Sequence, residues 1–237
     1  MDTRTLVEQS HAFLTYLADW RAGLPTLDLT AEVQEPQRVA IISEDLIKGF
    51  CTVGPLASPR AQAIVAPAVQ LFERAYALGV PHFVLVQDTH DPDAIEFNAY
   101  PPHCVRGSEE SETIPELATL PFANQFTIVS KNTTHSSLAT DFEDWLARHD
   151  EVRTFIVVGD CTDICVYQMA IDLRIRANAQ VRRDVRVIVP ANCVDTYDRP
   201  VDAARRLGGL PHAGDLLHLI FLYHMALNGI EIVREVI

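Results

Sequence analysis

Three residue types able to break an amide bond stand at the ends of apolar runs in this chain. Cys165 follows "FIVVGD" in "VVGDCTDICV", Lys131 closes "FTIVSK", and Asp45 closes "RVAIISED". Together they are the parts of an activated nucleophile: the cation lowers the thiol's pKa and the carboxylate takes its proton. Each also has an ordinary explanation alone, since cysteine packs as a small hydrophobe, lysine solvates a strand end and aspartate caps helices. Cys161 and Cys165 are four apart, so a metal clip, a disulfide or plain packing also come into question. A C-x₃-C pair with no second pair and no nearby histidine has the wrong spacing for structural zinc. Cys165 is the candidate nucleophile because it falls near a helix start, where unpaired N–H groups and the macrodipole favour a thiolate. Cys161, in the turn before it, reads as packing.

A second group lies in "DTHDPDAIEFNAYPPHCVRG". Asp88 and His90 are two apart at a strand end and face one side. Glu96 and His103 return from the loop, His103 stiffened by Pro101 and Pro102. Two histidines with two carboxylates suit one borderline divalent ion, Zn²⁺, Mn²⁺ or Fe²⁺. Loop hydrogen bonding is the other use of the same side chains.

What must position these residues is a set of alternating elements. Strands are expected at 38–47, 80–88, 126–131 and 153–159, in "DVRVIVPAN", and in "IEIVREV" as a sixth. Helices are expected over 3–22 and from Ser58 (N-cap, with Pro59 at N1) to a stop at Gly79. Others run from a Thr140/Glu143 capping box, from a cap at Thr162 or Asp163, and along "HAGDLLHLIFLYHMALNG". Near-continuous apolar strands separated by helices imply an α/β fold: three α/β/α layers around a six-stranded, mostly parallel sheet. Ligands then bind beyond the carboxyl ends of the strands, where Asp45, Asp88, Lys131 and Cys165 all fall. Residues 1–36 read as an N-terminal helical extension and 37–237 as one domain.

The bulk numbers narrow the function classes. With 237 residues, 48% hydrophobic and 22% charged, the chain has the composition of a globular domain with a substantial core. A net charge of −13 with no Lys/Arg cluster argues against a nucleic-acid partner and against anchoring on anionic lipid. Five cysteines at irregular spacing, after an amphipathic N-terminal helix rather than a secretory signal, fit free thiols in a reducing cytoplasm.

In these motifs the chain resembles the isochorismatase-like cysteine hydrolases, and within them the plant-type nicotinamidases. The family's Asp–Lys–Cys triad matches Asp45 in "SEDLIKGFC", Lys131 in "IVSKN" and Cys165 in "VVGDCTDICV", its pattern G-x-x-T-D-x-C-V. The metal loop matches "DTHDPDAIEF" and "YPPHCVRGS". Ile47 stands where many nicotinamidases have Gln, Tyr100 replaces a more familiar Trp, and Glu96 takes a position held by His or Glu. The resemblance implies hydrolysis of nicotinamide to nicotinate and ammonia through a thioester on Cys165. It further implies one divalent metal held by Asp88, His90, Glu96 and His103, and a substrate ring between Phe50 and Tyr100. The oxyanion hole would be the backbone N–H groups of Cys161 and Cys165, with a cis peptide between Asp160 and Cys161. Its members are often oligomers, so a homo-oligomer is expected. Relatives acting on carbamoyl or ureido substrates generally lack the metal loop, and true isochorismatases tend to lack the cysteine. A catalytically silent binding protein is the remaining alternative.

Overall fold

The computed structural model describes residues 2–237. Six strands form one parallel sheet: β2 (Val39–Glu44), β3 (His82–Asp88), β4 (Phe126–Lys131), β5 (Thr154–Asp160), β6 (Arg186–Pro190) and β8 (Glu231–Val233). Their order is β4-β3-β2-β5-β6-β8. The chain steps from β2 outward to β3 and β4, then returns to the other side of β2. The crevice at β2 and β5 is therefore the topological switch point, where α/β sheets bind ligands.

A seventh strand, β7 (Val194–Asp195), pairs with the last two residues of β5 and was not expected from the sequence. Two residues are too few to carry a hydrophobic period. The run "IEIVREV" divides at Arg234. Its first part joins the large sheet as β8; its second, β9 (Glu235–Val236), pairs in parallel with β1 (Thr26–Leu27).

Alternate residues of the strands feed two apolar layers, as side chains along a strand must. Ala40, Ile42, Val84 and Val157 meet Val166 and Leu173 of the helix Cys165–Ala179 and Leu222 of the helix Gly214–Leu227. Val39, Ile41, Phe83 and Val158 meet Leu71 and Phe72 of the helix Val65–Ala77 on the other face. The N-terminal helix Thr3–Ala22 lies against Gly214–Leu227, Leu17 fully buried and Trp20 edge-on to Tyr223 at 5.2 Å.

Local signals held in part. Ser58 caps Pro59–Ala63 by accepting from the Arg60 N–H, and Gly79 takes φ +83 behind the next helix. The expected single helix breaks at Ile64 into two. Thr140 lies one residue before the N-cap of the helix Phe142–Arg148, Asp141; its Oγ1 accepts from the Phe142 N–H and donates to the Ser136 carbonyl. Neither Thr162 nor Asp163 caps the helix at Cys165; Ile164 holds that position without a side-chain bond.

Candidate active site

The strand register does the positioning. Asp88 and Lys131 are direct partners on β3 and β4, and Glu44 lies beside Gly159 on β2 and β5. Gly159 has no alternative there: at φ +113 a Cβ would fall 1.9 Å from the Glu44 carbonyl oxygen. Just past β2, Asp45 takes a left-handed φ of 55°, which an aspartate tolerates better than most residues. That turn brings its carboxylate back across the strand ends, where Oδ1 accepts the Asp88 N–H at 2.8 Å.

Lys131 is the hub. Its Nζ donates to Asp45 Oδ2 at 2.8 Å and to Asp88 Oδ1, and lies 3.6 Å from Cys165 Sγ. Asp45, Asp88 and Lys131 are each at most 2% exposed, and Cys165 is 5% exposed. The expected triad thus converges on one buried point. Two surface clefts beside Arg60 and Asp215 contain none of these residues.

Electrostatics separate the two carboxylates. Burial works against the Asp88 anion, but Lys131, His103 and His90 outweigh it and hold Asp88 well below the usual range. Burial and then the Asp88 charge push Asp45 up to about 6, with Lys131 opposing. Asp88 is therefore the fixed anion and Asp45 the group that gains and loses a proton near neutrality, the divergence that marks acid–base roles. Lys131, although desolvated, is held well above its ordinary value by Asp45 and Asp88. Burial also pushes the Cys165 thiol well above its ordinary value, against the pull of Lys131. The thiolate preference expected at a helix start is therefore opposed by desolvation, which exceeds the pull of Lys131.

Cys165 is the first residue of its helix. In the turn before it, the Cys161 carbonyl accepts from the N–H groups of Ile164 and Val166, while the Thr162 N–H donates to the Asp195 carbonyl. Thr162 Oγ1 is 2.9 Å from His218 Nδ1, which fixes the turn from behind. Among the described residues, no backbone carbonyl outside the helix accepts the N–H of Cys161 or Cys165. The Asp160–Cys161 peptide is cis. All five cysteines are free, so Cys161 and Cys165 form no disulfide.

Asp88, His90 and His103 offer ligand atoms within 4.8 Å of one another, all buried. Asp88 Oδ2 lies 3.4 Å from His90 Nε2 and 3.8 Å from His103 Nε2. Donors held about 2.1 Å from one ion sit roughly this far apart. Two further features fit a cation. His90 Nε2 is buried without a hydrogen-bond partner, and His103 Nδ1 is 2.9 Å from the Pro101 carbonyl, a contact that makes Nδ1 the donor and leaves Nε2 a lone pair. Glu96 does not join this group: it sits half-buried on the short turn Ile95–Asn98, near His90.

Phe50 and Tyr100 both border the group, 5.7 and 6.1 Å from the His103 ring. Sequence reasoning gave no role to three further neighbours. Phe97 packs edge-on against both His90 and His103, and Asn132 Oδ1 lies 3.4 Å from His90 Nδ1. Glu44 is fully buried, its Oε1 accepting from Ser136 Oγ at 2.8 Å. An acid at an inward strand position was the available signal for Glu44; Asn132 had none beyond following Lys131.

Comparison with known proteins matches residues 39–206 to the isochorismatase domain. The chain belongs to the isochorismatase family. It is similar to nicotinamidase 1 of Arabidopsis thaliana, 29% identical over 213 residues that cover 84% of this chain and 86% of the relative. Among solved structures it resembles a pyrazinamidase/nicotinamidase from Streptococcus mutans (TM-score 0.65, 24% identity, 82% of this chain and 99% of that one). It also resembles an N-carbamoylsarcosine amidase from Thermoplasma acidophilum (TM-score 0.62, 24% identity, 83% and 96%). The family's three-layer architecture and parallel sheet are those described above. No described helix is long and apolar enough to cross a membrane.

Proposed function

We propose that this member of the isochorismatase family is an amidohydrolase, specifically a nicotinamidase, converting nicotinamide to nicotinate and ammonia through a thioester on Cys165. The observation that carries this reading is the sharing of Asp88. One oxygen contacts Lys131 of the nucleophile group, and the other faces His90 and His103. A substrate with a ring nitrogen on one side and a carboxamide on the other spans those two groups; a simple carbamoyl amine has nothing for the second.

A divalent ion held by Asp88, His90 and His103 would supply a Lewis acid with open positions for a ring nitrogen or water. Phe50, Phe97 and Tyr100 line this region and keep the ring in an apolar setting. Asp45 accepts the Cys165 proton as sulfur attacks the carboxamide carbon, so thiolate develops only in the transition state. Lys131, 3.6 Å from Sγ, stabilises that charge. The oxyanion formed on the carbonyl is met by the N–H groups of Cys161 and Cys165. Asp45 then returns its proton to the leaving ammonia, and deprotonates the water that cleaves the thioester.

The test is ammonia release by metal-loaded protein offered nicotinamide, benzamide and an N-carbamoyl amine. Turnover of nicotinamide far above the other two is expected; faster turnover of the carbamoyl amine would overturn the reading. His103→Ala should raise KM for nicotinamide about tenfold or more while altering metal content, measured by steady-state kinetics and metal analysis.

The same scheme fixes a pH dependence. Asp45 must be ionised to accept the thiol proton, so kcat/KM should fall about tenfold per unit below pH about 6. Stability runs the opposite way. A carboxyl raised from 3.8 to about 6 binds more protons folded than unfolded, so its stabilising effect is full below pH 3.8 and is lost as pH rises through about 6. The ionised form costs about 3 kcal/mol. Asp45→Asn should remove both the acid limb and this part of the stability profile, by denaturant unfolding at pH 5 and 8.

A further inference from the structure

His82, His149 and Glu151 sit at the other end of β3 from the active centre, about 20 Å away along the strand. His82 opens β3, His149 follows the helix Phe142–Arg148, and Glu151 lies two residues on, in the turn leading into β5. Their ligand atoms fall within 4.8 Å of one another, as do those of Asp88, His90 and His103. Glu151 Oε1 is 3.2 Å from His149 Nδ1 and 3.5 Å from His82 Nε2. Two imidazole nitrogens thus point at one carboxylate oxygen, with spacings close to those of the active-centre group.

The rings are held in place. They tilt against each other at 4.6 Å, and both border Trp145, which is buried; His149 is 4.7 Å and His82 5.9 Å from the indole. His82 is largely buried, whereas His149 and Glu151 open to solvent, so water can complete a coordination shell. Without an ion, His82 Nε2 donates to the Gln37 carbonyl at 3.2 Å and His149 Nδ1 pairs with Glu151 Oε1 at 3.2 Å, and a bound ion replaces both contacts.

We propose that His82, His149 and Glu151 form a second divalent-cation site, of the zinc-like class that two imidazoles and a carboxylate select. The ion fastens the start of β3 to the lead-in of β5 across Gln37, which precedes β2. It is a staple at the amino-terminal edge of the sheet, remote from the chemistry, and stands whether or not the amide substrate has been assigned correctly.

The experiment is a Zn²⁺ titration of chelator-stripped full-length protein against a competing indicator, with thermal unfolding recorded at each step. Wild-type protein should bind about two equivalents. His149→Ala and the more conservative Glu151→Gln should each bind about one and lose part of the zinc-dependent rise in Tm. His11→Ala, which alters an exposed histidine on the N-terminal helix, should keep both equivalents. One equivalent in the wild type, or two in both His149→Ala and Glu151→Gln, would overturn the site. So would an equal loss in His11→Ala, which would mark adventitious surface binding.

Discussion

Replacing Cys165 by alanine is expected to lower amide hydrolysis on the order of 10⁵–10⁶-fold, leaving only what positioning and oxyanion donors give without a nucleophile. Serine should not rescue it. The seat is buried and already pushes the thiol well above its ordinary value; a hydroxyl, far less acidic, leaves Asp45 too weak a base to generate the attacking group. Nicotinamide affinity in both variants should stay within about threefold, because in the proposed mechanism the ring contacts lie with His90, His103 and the aromatics rather than with sulfur. Kinetics together with calorimetric binding separate these outcomes. Acid-quenched wild-type turnover should show a covalent adduct on the peptide containing Cys165. A serine variant retaining a tenth of the activity would remove the thioester from the mechanism.

Cys161 supplies the contrast. In the proposed mechanism it contributes only a backbone N–H, which Cys161→Ala retains, so that variant should keep activity within about tenfold. The two thiols four residues apart should therefore differ by several orders of magnitude. Only roles divided between a side chain and a peptide group produce that difference.

Much of this arrangement was legible beforehand, because strand ends are easy to find in a parallel sheet. "FTIVSK" ends on Lys131 in the structure as in the pattern, and Asp45, Asp88 and Cys165 follow from the same rule. What the pattern lacks is depth and direction. The left-handed turn at Asp45 joins its carboxylate to Asp88, and nothing in "SEDL" announces it. Glu96 sits on a short turn near His90, apart from the close group of Asp88, His90 and His103. Burial raises the Cys165 thiol, an effect of the packed layers that the helix start alone does not reveal. Asn132 meets His90 only because β3 and β4 are in register at Asp88 and Lys131.

That register makes Lys131 the residue whose loss should cost the fold most. Its ammonium contacts both Asp45 and Asp88, and all three are buried. Lys131→Met keeps the length and apolar stem of the side chain while removing the charge. Two carboxylates then face one another with only the histidines beside Asp88 opposing their charge, and deleting one partner of a buried ion pair costs about 3–5 kcal/mol. Part of this is recoverable by protonation, and Asp45, already raised to about 6, is the group that takes the proton. Urea unfolding of Lys131→Met should therefore show a large deficit at pH 8 that narrows towards pH 5. Adding Asp45→Asn should restore most of the loss at pH 8 without restoring activity, since one anion has gone with its cation. If Lys131→Met is instead within about 1 kcal/mol of wild type at pH 8, the ammonium is not what permits two buried carboxylates to coexist at these strand ends.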